Sequence, residues 1–424
     1  MMGKRSLFLA LAALIVVLSA CTFTGGISSA TTPGTSDACP SGLGSSCYTP
    51  HALRVAYGVE KLTEQGFTGK GQTVVDIVSY GSPTLQQDMD AFDRQFGLPP
   101  ITIQIAAPLG TKPFNQQDSE MTGWAGETTL DVQIIHAIAP EAGIVVLTSP
   151  VDETEGTIGL PEFQKLEQYA VDHHLGYIFS QSWSASEATL ADTAGQQEVT
   201  TYSDFYQKII TQQGYTVVSA SGDNGATDFT DLAAKNLAST RTVGFPADVP
   251  WVTAVGGTTL DQTGSGYDET AWSGSGGGTS KFFAEPAFQK SLSSDVQTLL
   301  GGQRGLPDVA ANADPATGMA FYEDGRWNLA GGTSASAPLW AGIFAIANQM
   351  AGHPLGDVNP GLYKLGESAT STRDFRDITT GDNSTNEKGV QVQGFPAVAG
   401  WDPVTGWGAP QAEKLIPDLI VALK

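Results

Sequence analysis

Ser334 stands in Gly331-Gly332-Thr333-Ser334-Ala335-Ser336-Ala337-Pro338, a small-residue run ahead of an apolar stretch, Leu339 to Met350, with helical spacing. A serine hydroxyl is a weak nucleophile until a base takes its proton. That base is commonly a histidine oriented by a carboxylate. The five histidines, His51, His136, His173, His174 and His353, include none in a His-Gly-Thr setting, so the search turns to carboxylates. Glu127 and Asp131 lie four apart in Gly126-Glu127-Thr128-Thr129-Leu130-Asp131-Val132 and share one face of a helix running toward Ala139. Two carboxylates held together share a proton, which raises one of their pKa values. A carboxylate general base needs that kind of shift. Taken alone, the spacing is more often an exposed acidic face, and its meaning depends on the serine. A third candidate is Asp223, in Ala220-Ser221-Gly222-Asp223-Asn224-Gly225. By residue type this is a turn. Its functional reading is a donor to a developing oxyanion, which an aspartate can be only when protonated.

Elements of two kinds must hold these residues. Val74 to Val78, Ile144 to Leu147, Tyr177 to Ser180 and Thr216 to Ala220 read as short buried strands. Between them Leu85 to Phe96, Phe163 to His173 and Tyr202 to Gln213 have helical spacing, and His51 to Val59 reads as a short helix. Strand–helix alternation predicts an α/β fold, a mainly parallel doubly wound sheet with helices on both faces. Chemistry in such sheets gathers in loops at the carboxyl ends of the strands. No repeat or break in composition divides residues 48–424, so one domain is expected there.

The bulk composition narrows the function classes. The chain has 424 residues, 41% of them hydrophobic, and 44 Asp and Glu stand against 21 Lys and Arg, a net charge of −23. Nucleic-acid binding through basic patches is excluded by that balance. So few basic groups also limit self-repulsion in acid, although a generic acidic exported protein has the same composition. Lys4 and Arg5, the apolar run Leu7 to Leu18 and Leu18-Ser19-Ala20-Cys21 read as a signal peptide ending in a lipobox over residues 1–21. Cys21 would then be lipidated, and the membrane would be met only through that anchor. Ordinary cleavage near Ala30, with Cys21 incidental, is the alternative. Residues 22–47 are rich in Ser, Thr, Gly and Pro and read as a tether. Its Cys39 and Cys47 suit a local disulfide in an exported chain.

The serine motif, the Glu-x-x-x-Asp helix and Ser-Gly-Asp-Asn-Gly occur together, and with them the chain resembles the sedolisin family of serine-carboxyl peptidases. Tyr48-Thr49-Pro50, Ser182-Trp183, Phe245-Pro246-Ala247, Thr253 to Leu260, Ser275-Gly276-Gly277-Gly278 and Pro307-Asp308-Val309 extend the resemblance from Tyr48 to Pro410. It implies a subtilisin-like fold and an acid-acting endopeptidase with protein or peptide substrates; the lipobox would place it on the cell surface, and a monomer is expected. Ser334 would be the nucleophile and Glu127 its base. Asp131 would tune Glu127, and Asp223 would stabilise the oxyanion with the Ser334 N–H. The rivals are an inactive relative serving as a surface binding protein and a histidine-dependent subtilisin.

The resemblance also implies one structural Ca²⁺. Phe375-Arg376-Asp377-Ile378-Thr379 and Ala399-Gly400-Trp401-Asp402-Pro403 are similar to the family's two calcium loops. Asp377 and Asp402 would give carboxylates, and Ile378, Val398 and Gly400 main-chain oxygens, a hard-oxygen set of the kind calcium takes. Two departures are expected. Residues 22–47 are too few for the long prodomain that relatives carry. Ser79 stands where some relatives place a glutamate, so the carboxylate network is expected to be shorter.

Overall fold

The computed structural model describes residues 38–43, 47–152, 155–264 and 266–424. The signal segment, Cys21 and most of the tether lie outside the described residues. Cys39 and Cys47 form a disulfide, with Cα atoms 5.9 Å apart, and Tyr48 next to it bridges Met319.

Short β-branched runs build the centre. In chain order the strands are β1 (Thr73–Ser79), β2 (Gln104–Ala106), β3 (Gly143–Ser149), β4 (Ile178–Gln181), β5 (Thr216–Ala220), β6 (Thr253–Thr263), β7 (Gly266–Ala271) and β8 (Val309–Asn312). The helices that concern the site are α1 (Leu85–Phe96), α2 (Ser119–Ile138), α3 (Leu160–Asp172), α4 (Thr193–Gln213) and α5 (Thr333–Ala351). The sheet runs β8-β6-β5-β4-β1-β3-β2, parallel throughout, with β7 antiparallel to β6 at one side. In register, Val74 sits beside Ile144 on one flank and Ile178 on the other. Strands buried on both faces are read from near-continuous apolar runs; β1, β3 and β5 are mostly of that kind, with Asp76 the one charged residue in β1.

Helices α2 and α5 pack on each other and on β1, β4, β5, β6 and β8. Both are buried along most of their length. A helix apolar on every side belongs in a core, and these two form the floor under the carboxyl ends of the strands. Helix α3 packs on β1 and β3, and α4 on α3 and β5.

Three boundaries differ from the periodicity. Helix α2 starts at Ser119, seven residues before Gly126, because Asp118 caps it and accepts from the Glu120 and Met121 N–H groups. Helix α4 starts at Thr193, capped by Asp192; its first two turns are largely polar and carry no apolar rhythm. Helix α5 starts at Thr333, with Pro338 inside it, so Ser334 belongs to its first turn and not to a preceding loop. The short helix expected over 51–59 spans Pro50–Ala56, and a second, Glu60–Glu64, begins just after the expected end.

Candidate active site

Residues far apart in the chain meet where β1, β4 and β5 end. Ser334 is the second residue of α5, so its N–H is among those at a helix N-terminus left without an intrahelical acceptor. Gly332 makes the entry to that helix possible. Its φ is +77°, and a Cβ there would come 2.4 Å from Asp223 Oδ2. Only glycine takes that conformation readily. Asp223 follows β5 and is tied to the same turn, with Oδ1 accepting the Thr333 N–H at 2.7 Å and the Thr333 hydroxyl at 2.9 Å. Its Oδ2 is thereby aimed along the turn that carries the serine.

From α2, the Glu127 carboxyl is within hydrogen-bonding reach of the Ser334 hydroxyl, and its Oε1 is buried without a partner. One turn further on, Asp131 is fully buried, and Ser182 Oγ, just past β4, lies 2.8 Å from its Oδ1. Ser182 Oγ also lies 3.3 Å from the Ser334 carbonyl oxygen. That carbonyl lacks its usual helical donor, because the residue four further on is Pro338, which has no N–H. Ser334, Glu127 and Asp223 are half-buried, while Asp131 is sealed. The reacting groups therefore line an opening, and the group behind them does not.

Burial is the dominant influence on the electrostatics. It raises Glu127, Asp131 and Asp223 above the ordinary carboxylate range, opposed by the Ser334 hydroxyl at Glu127, by Ser182 at Asp131 and by Thr333 at Asp223. Asp223 and Asp76 add like-charge repulsion at Glu127. Asp76 was not among the expected site residues. It lies inside β1, fully buried, within hydrogen-bonding reach of Asp131. The network is therefore not shortened at Ser79, whose hydroxyl donates to the Val151 carbonyl at 2.7 Å. It is extended from within the strand. The available signal was a lone carboxylate in the run Val74-Val75-Asp76-Ile77-Val78.

The buried histidine of α2, His136, has Nε2 3.2 Å from Asp93 and 3.0 Å from the Pro99 carbonyl, and so is committed elsewhere. Trp183 is buried against Phe163, ring centres 4.7 Å apart.

A sequence model of the subtilase family matches residues 118–360, more than half of the chain and the whole span from α2 to α5. The chain belongs to the subtilase family. Its relatives fall among the sedolisins. Kumamolisin of Bacillus sp. (strain MN-32) is 32% identical over 88% of this chain and 64% of its own length. Sedolisin of Pseudomonas sp. (strain 101) is 31% identical over 81% and 57%. Tripeptidyl-peptidase 1 of Homo sapiens is 31% identical over 70% and 52%. The chain thus spans 52–64% of these relatives' lengths. In structure it is similar to Pseudomonas sedolisin, a serine-carboxyl proteinase, with TM-score 0.69 at 26% identity over 87% of this chain and 95% of that one.

The expected metal residues also come together. Asp377 Oδ2 accepts the Gly400 N–H at 2.9 Å, and Asp402 Oδ2 accepts the Val398 N–H at 2.9 Å, so both carboxylates hold the same turn. Asp402 Oδ1 accepts the Val404 and Thr405 N–H groups, each at 2.9 Å. Asp377 Oδ1 is buried without a partner. A buried carboxylate oxygen lacking a donor, beside a second buried carboxylate on the same turn, fits a hard cation.

Proposed function

We propose that the chain is an exported serine-carboxyl endopeptidase with Ser334 as nucleophile, Glu127 as general base, Asp131 as the group that orients Glu127, and a protonated Asp223 at the oxyanion. The observation that carries this reading is Glu127 reaching the Ser334 hydroxyl while Asp223 is bound to the turn that presents it. The sedolisin relatives support the same chemistry.

In the proposed cycle Ser334 Oγ attacks the carbonyl carbon of a peptide bond and its proton moves to Glu127. The carbonyl oxygen becomes an oxyanion, held by the Ser334 N–H and a proton donated by Asp223, with the positive end of the α5 dipole behind them. The C–N bond breaks as Glu127 returns the proton to the leaving nitrogen, giving an acyl-enzyme and a free amine. A water then gives its proton to Glu127 and attacks the ester. When that second tetrahedral species collapses, the proton goes back to Ser334 Oγ and the carboxylic acid leaves.

The scheme needs Glu127 ionised and Asp223 protonated at the same time. Hydrolysis is therefore bell-shaped in pH, with both limbs displaced above the ordinary carboxylate value of about 4, because burial raises Glu127 and Asp223 alike. Denatured-protein cleavage across the pH range, compared with Ser334→Ala, is the test. Loss of at least about 10³-fold is expected for a missing nucleophile. Activity that survives the substitution removes the mechanism. We further propose one Ca²⁺ held by Asp377 and Asp402 with the carbonyls of Ile378, Val398 and Gly400; when bound, it would link the two loops. Cys21 would anchor the chain at the cell surface, and mass spectrometry of the mature protein reads that directly.

A further inference from the structure

Asp76 takes no step in the cycle above. Its strand neighbours Val74, Val75, Ile77 and Val78 are all fully buried, and an unpaired charge among them is strongly disfavoured. Both of its carboxyl oxygens are buried and, Asp131 apart, meet no donor among the described residues. Its register partners on the flanking strands are Val146 and Ser180, neither titratable. The Ser180 hydroxyl is itself buried without a partner. Residues 333–351 of α5 carry no charged side chain. From α3 the buried carboxylate is Glu167, occupied by Gln181 and the Tyr206 hydroxyl. The groups of α2 that act on Asp76 or feel its charge are Asp131 and Glu127.

Two carboxyl groups can hydrogen-bond only through a proton that one of them carries. The Asp76–Asp131 contact therefore holds a proton, and that proton cannot serve Glu127 fully at the same moment. We infer that Asp76 is a positioning residue: by competing for the proton on Asp131, it sets the acidic edge of the pH range in which Glu127 works as a base. The inference rests on the hydrolytic reading above. Without Asp76, Asp131 donates to Glu127 alone and one like charge leaves the site. Both changes favour ionised Glu127.

The test uses the full chain with Asp76→Val, which continues the apolar pattern of β1, and Asp76→Asn, which keeps the shape. In both, the acidic limb of kcat/KM is expected to move down by about one pH unit, so that relative activity at its foot rises up to about tenfold. A residue that only supported the strand would lower activity evenly at every pH. An even loss, or a limb that stays in place in both variants, overturns the inference. Isotope-edited infrared titration of Asp76→Val in a Ser334→Ala background reads the carboxyl groups without turnover. One protonated carboxyl signal should vanish and the midpoint of another should fall. An unchanged second midpoint also overturns the inference. If the wild-type chain proves inactive, the hydrolytic reading has failed, and the infrared result still decides whether Asp76 governs its neighbours.

Discussion

Four of the residues at this site, Ser334, Glu127, Asp131 and Asp223, were open to reasoning from type and spacing, because their partners could be named: a serine needs a base, a carboxylate base needs a second carboxylate to raise its pKa, and an oxyanion needs a donor. Asp223 gives the sharpest single-residue prediction. Its Oδ1 is engaged by the Thr333 N–H and hydroxyl, so a donating proton sits on Oδ2. In Asp223→Asn the amide oxygen can keep the Thr333 bonds while the NH₂ donates at any pH. The alkaline limb of the pH–rate profile should flatten, with substantial activity retained. Asp223→Ala should cost roughly 10²–10³ in kcat, as for loss of an oxyanion donor. An Asn variant with an unchanged alkaline limb would show that a group other than Asp223 sets that limb. Asp76 was missed because a strand buried on both faces is read from its apolar residues. A carboxylate inside it is legible only once the helix carrying Asp131 is known to lie against it.

At the scale of elements, the four strands read from the sequence fall within about two residues of β1, β3, β4 and β5, whereas β2, β6, β7 and β8 were not read as strands. Leu85–Phe96 and Thr216–Ala220 were read with the bounds they have. The starts of α2, α4 and α5 were not, since a helix start is fixed by a cap and not by hydrophobic rhythm. The case of α5 matters for the chemistry. Placing its start after Pro338 would leave Ser334 in a loop, whereas its position in the first turn gives its N–H the helix dipole and frees its carbonyl for Ser182. The turn that feeds this helix depends on Gly332. Gly332→Ala would set a Cβ at 2.4 Å from Asp223 Oδ2 at a φ of +77°. With ψ at 166° this positive-φ backbone lies in a region almost confined to glycine, which alone costs about 1–3 kcal/mol, and relief of the clash must displace Asp223. Thermal unfolding should fall by several degrees, and kcat should fall more than KM rises, because the displaced group acts on the transition state. Equal change in both constants would place the damage in substrate binding instead.

For the whole molecule, the carboxyl groups that burial perturbs lean one way. Asp152 is pushed up to about 9, Glu323 to about 7 and Asp357 to about 6, in each case mainly by burial. A carboxyl raised in the folded state binds its proton more tightly folded than unfolded. Its stabilising contribution is full below the unfolded value of about 4 and is lost as pH rises through the folded value. Groups shifted the other way, Glu141, Asp231, Asp382 and Glu413, are held down by surface hydrogen bonds and lysines. Exposed pairs of that kind contribute little. The buried set therefore decides the sign, and stability should decline from pH 5 to pH 8, by roughly a few degrees in Tm. The proposed calcium loops oppose that trend, since metal ligands must be ionised to bind. A chelator should consequently lower Tm more at pH 8 than at pH 5, and saturating Ca²⁺ should recover about 2–3 kcal/mol at 100-fold excess over Kd. Calorimetry at the two pH values, with and without chelator, separates these contributions. A Tm that rises toward pH 8 in the chelated protein would mean that the buried carboxyls are not protonated in the fold.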